Sequence, residues 1–192
     1  MINPKHTIIF EGPELAGKSY LMSQIYDYLE PKYNSGSKVL DGCHWFNCDL
    51  GLFGTRFGAN VLLKYLELLE EINDSNVMLE KFHLTEAVYQ KIYNNYDFDF
   101  SKIEKRLKKI KAKIILVTFD ADENLLKKRL KDRLALYPHY NRIAQTPVDY
   151  ISQQKKYLEL ISQSNLDHLI VNASVLPNPL LVEKILKFLG EL

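Results

Sequence analysis

Gly12-Pro13-Glu14-Leu15-Ala16-Gly17-Lys18-Ser19 fits the pattern G-x-x-x-x-G-K-[ST]. Glycine at 12 and 17 lets the backbone take positive φ and bring its N–H groups close around an anion. A helix that starts directly after such a loop adds the positive end of its dipole. Lys18 would then reach the β- and γ-phosphates of a nucleoside triphosphate, and Ser19 would ligate Mg²⁺. The chemistry open to this loop is nucleotide binding, alone or with phosphoryl transfer. The motif requires a strand before it and a helix after it. His6-Thr7-Ile8-Ile9-Phe10 reads as a buried strand, and Lys18 to Glu30 carries apolar residues at helical spacing, with Pro31 as a stop.

Glu80 closes a second apolar run, Val77-Met78-Leu79. A carboxylate there can hold Mg²⁺ through water or take a proton from the acceptor. Phosphoryl transfer also needs positive charge around three equatorial oxygens. Positions 13 to 16 of the loop hold no Arg or Lys, so that charge must come from elsewhere. Arg142, in the Tyr- and Pro-containing segment 136–146, is the candidate. That segment would form a small lid that excludes water.

The elements that position these groups follow from periodicity. Lys38 to Asp41 is expected as a short strand, and 42–55 as irregular. Helices are expected over Arg56 to Ile72, Leu84 to Tyr93 and Lys102 to Ile110, the last with a Ser101/Glu104 capping box. Ala112 to Asp120 is the clearest strand. Asp122 should cap a helix to about Arg133, and Thr146-Pro147-Val148-Asp149 should open another to about Ser162. A last strand, His168 to Asn172, precedes a helix opened by Asn178-Pro179. Strands alternating with helices imply right-handed βαβ units in a parallel sheet covered on both faces, with ligands at the carboxyl ends of the strands.

Composition limits the function classes. The 192 residues fit one domain, and 25 basic against 24 acidic residues leave no surplus to drive nucleic-acid or membrane-surface binding. No apolar run reaches the ~18 residues of a membrane span, and Met1 to His6 lacks a signal-peptide h-region, so a cytoplasmic chain is expected. Two cysteines cannot build a disulfide scaffold. Cys43, His44 and Cys48 lack a fourth ligand at zinc spacing. Lys102 to Lys113 reads as a solvated basic face, and His83 as structural.

With its motifs in order, the chain resembles the thymidylate kinases, P-loop nucleoside monophosphate kinases. Glu11 to Ser19 is similar to that family's Glu-Gly-x-Asp-Gly-x-Gly-Lys-Ser/Thr. Glu80-Lys81 stands where the family has Asp-Arg, and Ala87-Val88-Tyr89-Gln90 resembles the Ala-Tyr-Gln that follows. Lys128-Arg129 through Arg133, Asn141-Arg142-Ile143, Tyr157-Leu158-Glu159-Leu160 and Val171-Asn172-Ala173-Ser174 continue the likeness over nearly the whole chain.

The resemblance implies a three-layer α/β P-loop kinase fold spanning 1–192, with five parallel strands ordered 2-3-1-4-5 and a lid at about 136–146. It implies that ATP and Mg²⁺ meet Gly12, Glu14, Ala16, Gly17, Lys18, Ser19 and Tyr20. Arg129, Arg133 and Ala173 would complete the donor site. Ser19 and Glu80 would serve the metal, with Lys18, Glu80, Lys81 and Arg142 catalytic. The acceptor would meet Glu14, Arg56, Phe57, Thr85, Tyr89 and Gln90. The partners implied are nucleotides, with a homodimer face on the helix after Arg56.

Departures cluster on the acceptor side. Lys81 lacks the bidentate fork of arginine, Glu14 is a methylene longer than Asp, and Asp41 to Trp45 stands where the family has Arg-Glu-Pro. The first expectation is transfer from ATP to a deoxynucleoside monophosphate, dTMP foremost. A deoxynucleoside kinase with Glu80 as base on the 5′-hydroxyl, and a nucleotide-binding protein without turnover, are the alternatives.

Overall fold

The computed structural model describes residues 5–36, 38–72 and 74–192. In the N-terminal segment expected to lack a leader, residues 1–4 lie outside the described residues. One parallel sheet runs through the middle, in the order β2-β3-β1-β4-β5. Its strands are β1 (Thr7–Glu11), β2 (His44–Asn47), β3 (Val77–Glu80), β4 (Lys113–Thr118) and β5 (Asp167–Asn172). Register places Phe10 opposite Glu80, and Asn47 opposite Glu80 on its other side. Three strand ends thus meet where the glycine-rich loop between β1 and α1 begins.

Among the described residues, seven α-helices cover the sheet: α1 (Lys18–Tyr33), α2 (Gly58–Glu71), α3 (His83–Asn94), α4 (Ser101–Lys109), α5 (Glu123–Leu136), α6 (Pro147–Ile161) and α7 (Pro179–Leu189). Alternate residues of each strand serve opposite layers. Ile9, Leu79 and Ile114 pack with Leu62 and Leu66 of α2, Val88 of α3 and Leu107 of α4. Ile8, Phe10, Met78 and Ile115 pack with Leu21, Met22 and Ile25 of α1 and with Ile185 of α7. Such two-sided burial is why these strands read as continuous apolar runs. The fold is therefore the three-layer α/β arrangement with the expected strand order.

Several local expectations fail for identifiable reasons. Residues 38–41 are not a strand; β2 forms at His44–Asn47, inside the segment expected to be irregular, because pairing with β3 selects it. Pro31 does not stop α1, which continues to Tyr33. A proline this near the end removes one ladder bond, and Lys32 and Tyr33 are held by Glu191 at 2.6 and 2.7 Å. The Ser101/Glu104 capping box does not form. Phe100 precedes α4 without a side-chain cap, and buried Glu104 turns to Ser164 Oγ and Asn165 N instead. The α2 helix starts at Gly58, so Arg56 and Phe57 precede it. Asp122 caps α5, Thr146 and Asp149 form a reciprocal capping box on α6, and Asn178 caps α7.

Candidate active site

The loop between β1 and α1 takes the backbone its glycines allow, with φ of +133° at Gly12 and +90° at Gly17. A Cβ at Gly12 would stand 2.2 Å from the Val117 carbonyl oxygen, so this approach admits glycine alone. Leu15 also has positive φ, +63°, at a position where the resembling family carries glycine. A leucine there is strained. Arg129 of α5 holds it in place: one nitrogen donates to Leu15 O at 2.8 Å, and another to Ala173 O and Ser174 O at 2.5 and 2.9 Å. The guanidinium therefore stitches the loop to the segment after β5.

Buried Lys18 folds over the loop, donating to Gly12 O at 2.8 Å and Pro13 O at 2.7 Å. Burial depresses its pKa, opposed chiefly by the Glu14 carboxylate. Ser19, at the second position of α1, donates its hydroxyl to Glu80 Oε1 at 2.9 Å. Two hard oxygen donors side by side at the loop fit Mg²⁺, which takes hydroxyl and carboxylate oxygens and keeps several waters. Cys43 and Cys48 are both buried, and burial pushes the Cys43 thiol up to about 12.

Next to Glu80, Lys81 has φ +61° and donates its backbone N–H to Phe10 O at 2.9 Å. The side chain reaches Glu14 Oε1 at 2.5 Å and Asp49 Oδ2 at 2.6 Å. The other Glu14 oxygen faces Arg133 at 3.7 Å. Burial pushes the Glu14 carboxyl up, but the ammoniums of Lys81 and Lys18 outweigh it and hold its pKa at about 2. Burial pulls Lys81 down, and Glu14, Tyr89 and Asp49 more than reverse this, leaving it firmly cationic. An alternating charge chain thus runs Asp49–Lys81–Glu14–Arg133, from the loop after β2 to α5.

A cleft of about 740 Å³ opens over the loop, lined by Glu14 to Tyr20, Glu80, Arg129 and Arg133 of α5, and Ser174 to Leu176. The donor-side residues expected from sequence come together here, apart from Gly12 and Ala173, which are buried and do not line it. Arg133 also lies over the Tyr140 ring, 4.5 Å from its centroid. Arg142, by contrast, is exposed on the short 3₁₀ turn Pro138–Arg142 and forms no ion pair among the described residues. Buried Tyr140, bonded to Tyr150, pins that turn, so Arg133 rather than Arg142 stands at the loop.

The acceptor-side residues divide. Tyr89 is half-buried, its ring 5.9 Å from the Lys81 ammonium. Thr85 does not face the cleft; it is fully buried, donating to Glu11 Oε2 at 2.5 Å and accepting from Tyr157 OH at 2.9 Å. The Gln90 amide is spent internally: Nε2 donates to Thr55 O at 3.0 Å and to Glu86 Oε1 at 2.8 Å, and Oε1 accepts from Asn94. It braces the 47–58 loop. Phe57 is exposed under the Arg56 guanidinium and lines a shallow apolar groove along α2 with Leu52 and Val61, away from the β1–α1 loop.

Two acids escaped the sequence reading. Glu11 is fully buried, and one of its oxygens accepts from Phe82 N and Leu84 N, so it fastens the β3–α3 turn to β1. Burial raises its pKa, opposed by His83 and the Thr85 hydroxyl. Its place next to Gly12 was the available signal. Asp49 sits in the segment read as irregular, and nothing in its spacing marks it.

No protein-family model matches the chain, and no curated protein matches it in sequence. Solved structures do resemble it. YorR from Bacillus subtilis, in complex with phosphorylated GDP, aligns over 96% of this chain and 95% of its own at 21% identity and TM-score 0.66. Deoxyadenosine kinase from M. mycoides, with products dCMP and a flexible dCDP, aligns over 97% and 100% at 14% identity and TM-score 0.56. Thymidylate kinase from Ehrlichia chaffeensis aligns over 97% and 98% at 12% identity and TM-score 0.53. At these identities the likeness is one of architecture: the chain has the fold that the P-loop kinases share.

Proposed function

We propose that the protein is a kinase that transfers the γ-phosphoryl group of ATP to a deoxynucleoside monophosphate, dTMP foremost. The observation that carries this reading is the convergence of Lys18, the Ser19–Glu80 pair and Arg133 on one cleft at the strand ends, with Lys81 ion-paired to Glu14 in its wall. Loop N–H groups and Lys18 would cradle the donor phosphates, and Arg129 would fix the wall of the donor site. Ser19 and Glu80 would hold Mg²⁺, which would supply charge neutralisation for the transferring phosphoryl group. Lys81 and Arg133 would steady the acceptor end and the equatorial oxygens, as positioned cations do for a developing anion. The thymidylate kinase among the structural neighbours supports the substrate class.

A second reading, phosphorylation of a nucleoside 5′-hydroxyl, is supported by the deoxyadenosine kinase among the structural neighbours and by one feature of the site. Glu14 and Asp49 already balance Lys81 and Arg133, so the acceptor side is neutral without an acceptor phosphate. ADP release from Mg-ATP, followed with dTMP, dUMP, dCMP, dGMP, dAMP, thymidine and deoxycytidine, separates the two. Turnover on a monophosphate is the expected result. Turnover on nucleosides alone would transfer the assignment to the second reading, and turnover on none would remove both.

A further inference from the structure

Asp49 divides its two carboxylate oxygens between two tasks. Oδ1 accepts from Gly51 N at 3.0 Å, closing the turn after β2, and Oδ2 takes the Lys81 ammonium at 2.6 Å. Both side chains are largely enclosed, 15% and 12% exposed, so the pair is only weakly screened by solvent. Lys81 is itself fixed from behind, by its backbone bond to Phe10 O and by Glu14 at 2.5 Å. An ammonium has three donors, and two of them already point at carboxylates. An acceptor phosphate that approaches Lys81 meets a cation largely neutralised, with the Asp49 negative charge alongside.

We propose that Asp49 is a positioning residue that sets acceptor preference: by engaging Lys81 it withdraws positive charge from an acceptor phosphate and lowers the preference for phosphorylated over unphosphorylated acceptors. This rests on reading the cleft as the site of a nucleotide or nucleoside kinase. No element of the sequence motif contains Asp49, and its effect passes through Lys81 rather than through the reacting atoms.

The test is Asp49→Asn. Asparagine keeps an Oδ1 for Gly51 N, so the turn survives, while an NH₂ replaces the oxygen facing Lys81. Asp49→Ser, which also supports the turn, serves as a second variant. For wild type and variants, kcat/KM is measured on the matched pairs dTMP and thymidine, and dCMP and deoxycytidine. In parallel, Kd for each pair is measured by calorimetry with ADP occupying the donor site. The expected result is a rise in the monophosphate-to-nucleoside ratio of about tenfold, in kcat/KM and in affinity. An equal loss on both members of a pair would mark a structural role or a general base, and would overturn the proposal. So would an unchanged or lowered ratio, or the absence of binding by every acceptor. If wild type binds acceptors without turnover, the kinase reading fails on its own, and the affinity ratio still decides the role of Asp49.

Discussion

The Ser19 hydroxyl lies 2.9 Å from Glu80 Oε1, although the residues are 61 positions apart and belong to α1 and β3. Parallel pairing of β1 with β3 makes this contact, because it sets Phe10 opposite Glu80 and brings the end of β3 beside the first turn of α1. If the pair holds Mg²⁺, Ser19→Ala and Glu80→Gln should each raise the Mg²⁺ concentration needed for half-maximal rate. Each should also lower kcat by about 10²-fold or more. Chelation of Mg²⁺ should abolish transfer while leaving the melting temperature of the nucleotide-free protein unchanged. Titration of rate against Mg²⁺, with melting curves alongside, checks all three.

Acid should weaken the fold through Glu14. Its folded pKa is about 2, below the ordinary value of 4.5, because Lys81 and Lys18 overcome its burial. A depressed carboxylate contributes stability that is full above the unfolded pKa and is lost as pH falls through the folded one. The loss should therefore run from about pH 5 down to about pH 2, and for this one group amount to about 3 kcal/mol. Denaturant unfolding of wild type and Glu14→Gln over that range gives the comparison. The variant should show the shallower decline.

Arg133 and Arg142 offer a direct contrast. Arg133 faces Glu14 at 3.7 Å and lies over Tyr140, whereas Arg142 is exposed on the 3₁₀ turn. Arg133→Ala should lower kcat by about 10²-fold, as loss of a positioned cation does, and Arg142→Ala by less than about tenfold. Steady-state kinetics on the two variants settles the order. The reverse order would show that the turn moves to bring Arg142 inward during turnover.

Gly12→Ala should be costly. The added methyl would stand 2.2 Å from Val117 O at a φ of +133°, and the obstruction is backbone that cannot swing aside. A loss on the order of 3 kcal/mol is expected, together with loss of ATP binding. Arg129→Lys should act more selectively. One ammonium cannot span Leu15 O, Ala173 O and Ser174 O, so KM for ATP should rise while kcat changes less. Unfolding curves and ATP titrations report both.

The architecture was legible because its signals are local. Apolar runs such as Ile114 to Val117, caps at Asp122 and Thr146, and the glycine pattern at 12 and 17 act over a few residues. The misread parts depend on partners distant in sequence. His44–Asn47 becomes a strand through β3, and α1 passes Pro31 under the hold of Glu191. Glu104 leaves its capping role for Ser164 and Asn165. The site divides the same way. Lys18, Ser19 and Glu80 follow from motif and strand end. The burial of Thr85, the Gln90–Thr55 bond, and the Asp49–Lys81 contact arise from packing between segments that no spacing connects.

As a kinase site, this cleft should move the γ-phosphoryl group of ATP to an acceptor rather than merely hold a nucleotide. Incubation with Mg²⁺, ATP labelled in the γ-phosphate and dTMP, followed by chromatographic separation of the products, tests it most directly. The account predicts label in the β-position of dTDP for the wild-type protein and none for Lys18→Ala. Tight ATP binding by the wild-type protein, with the label remaining in ATP for dTMP and for every other monophosphate and nucleoside supplied, would contradict it.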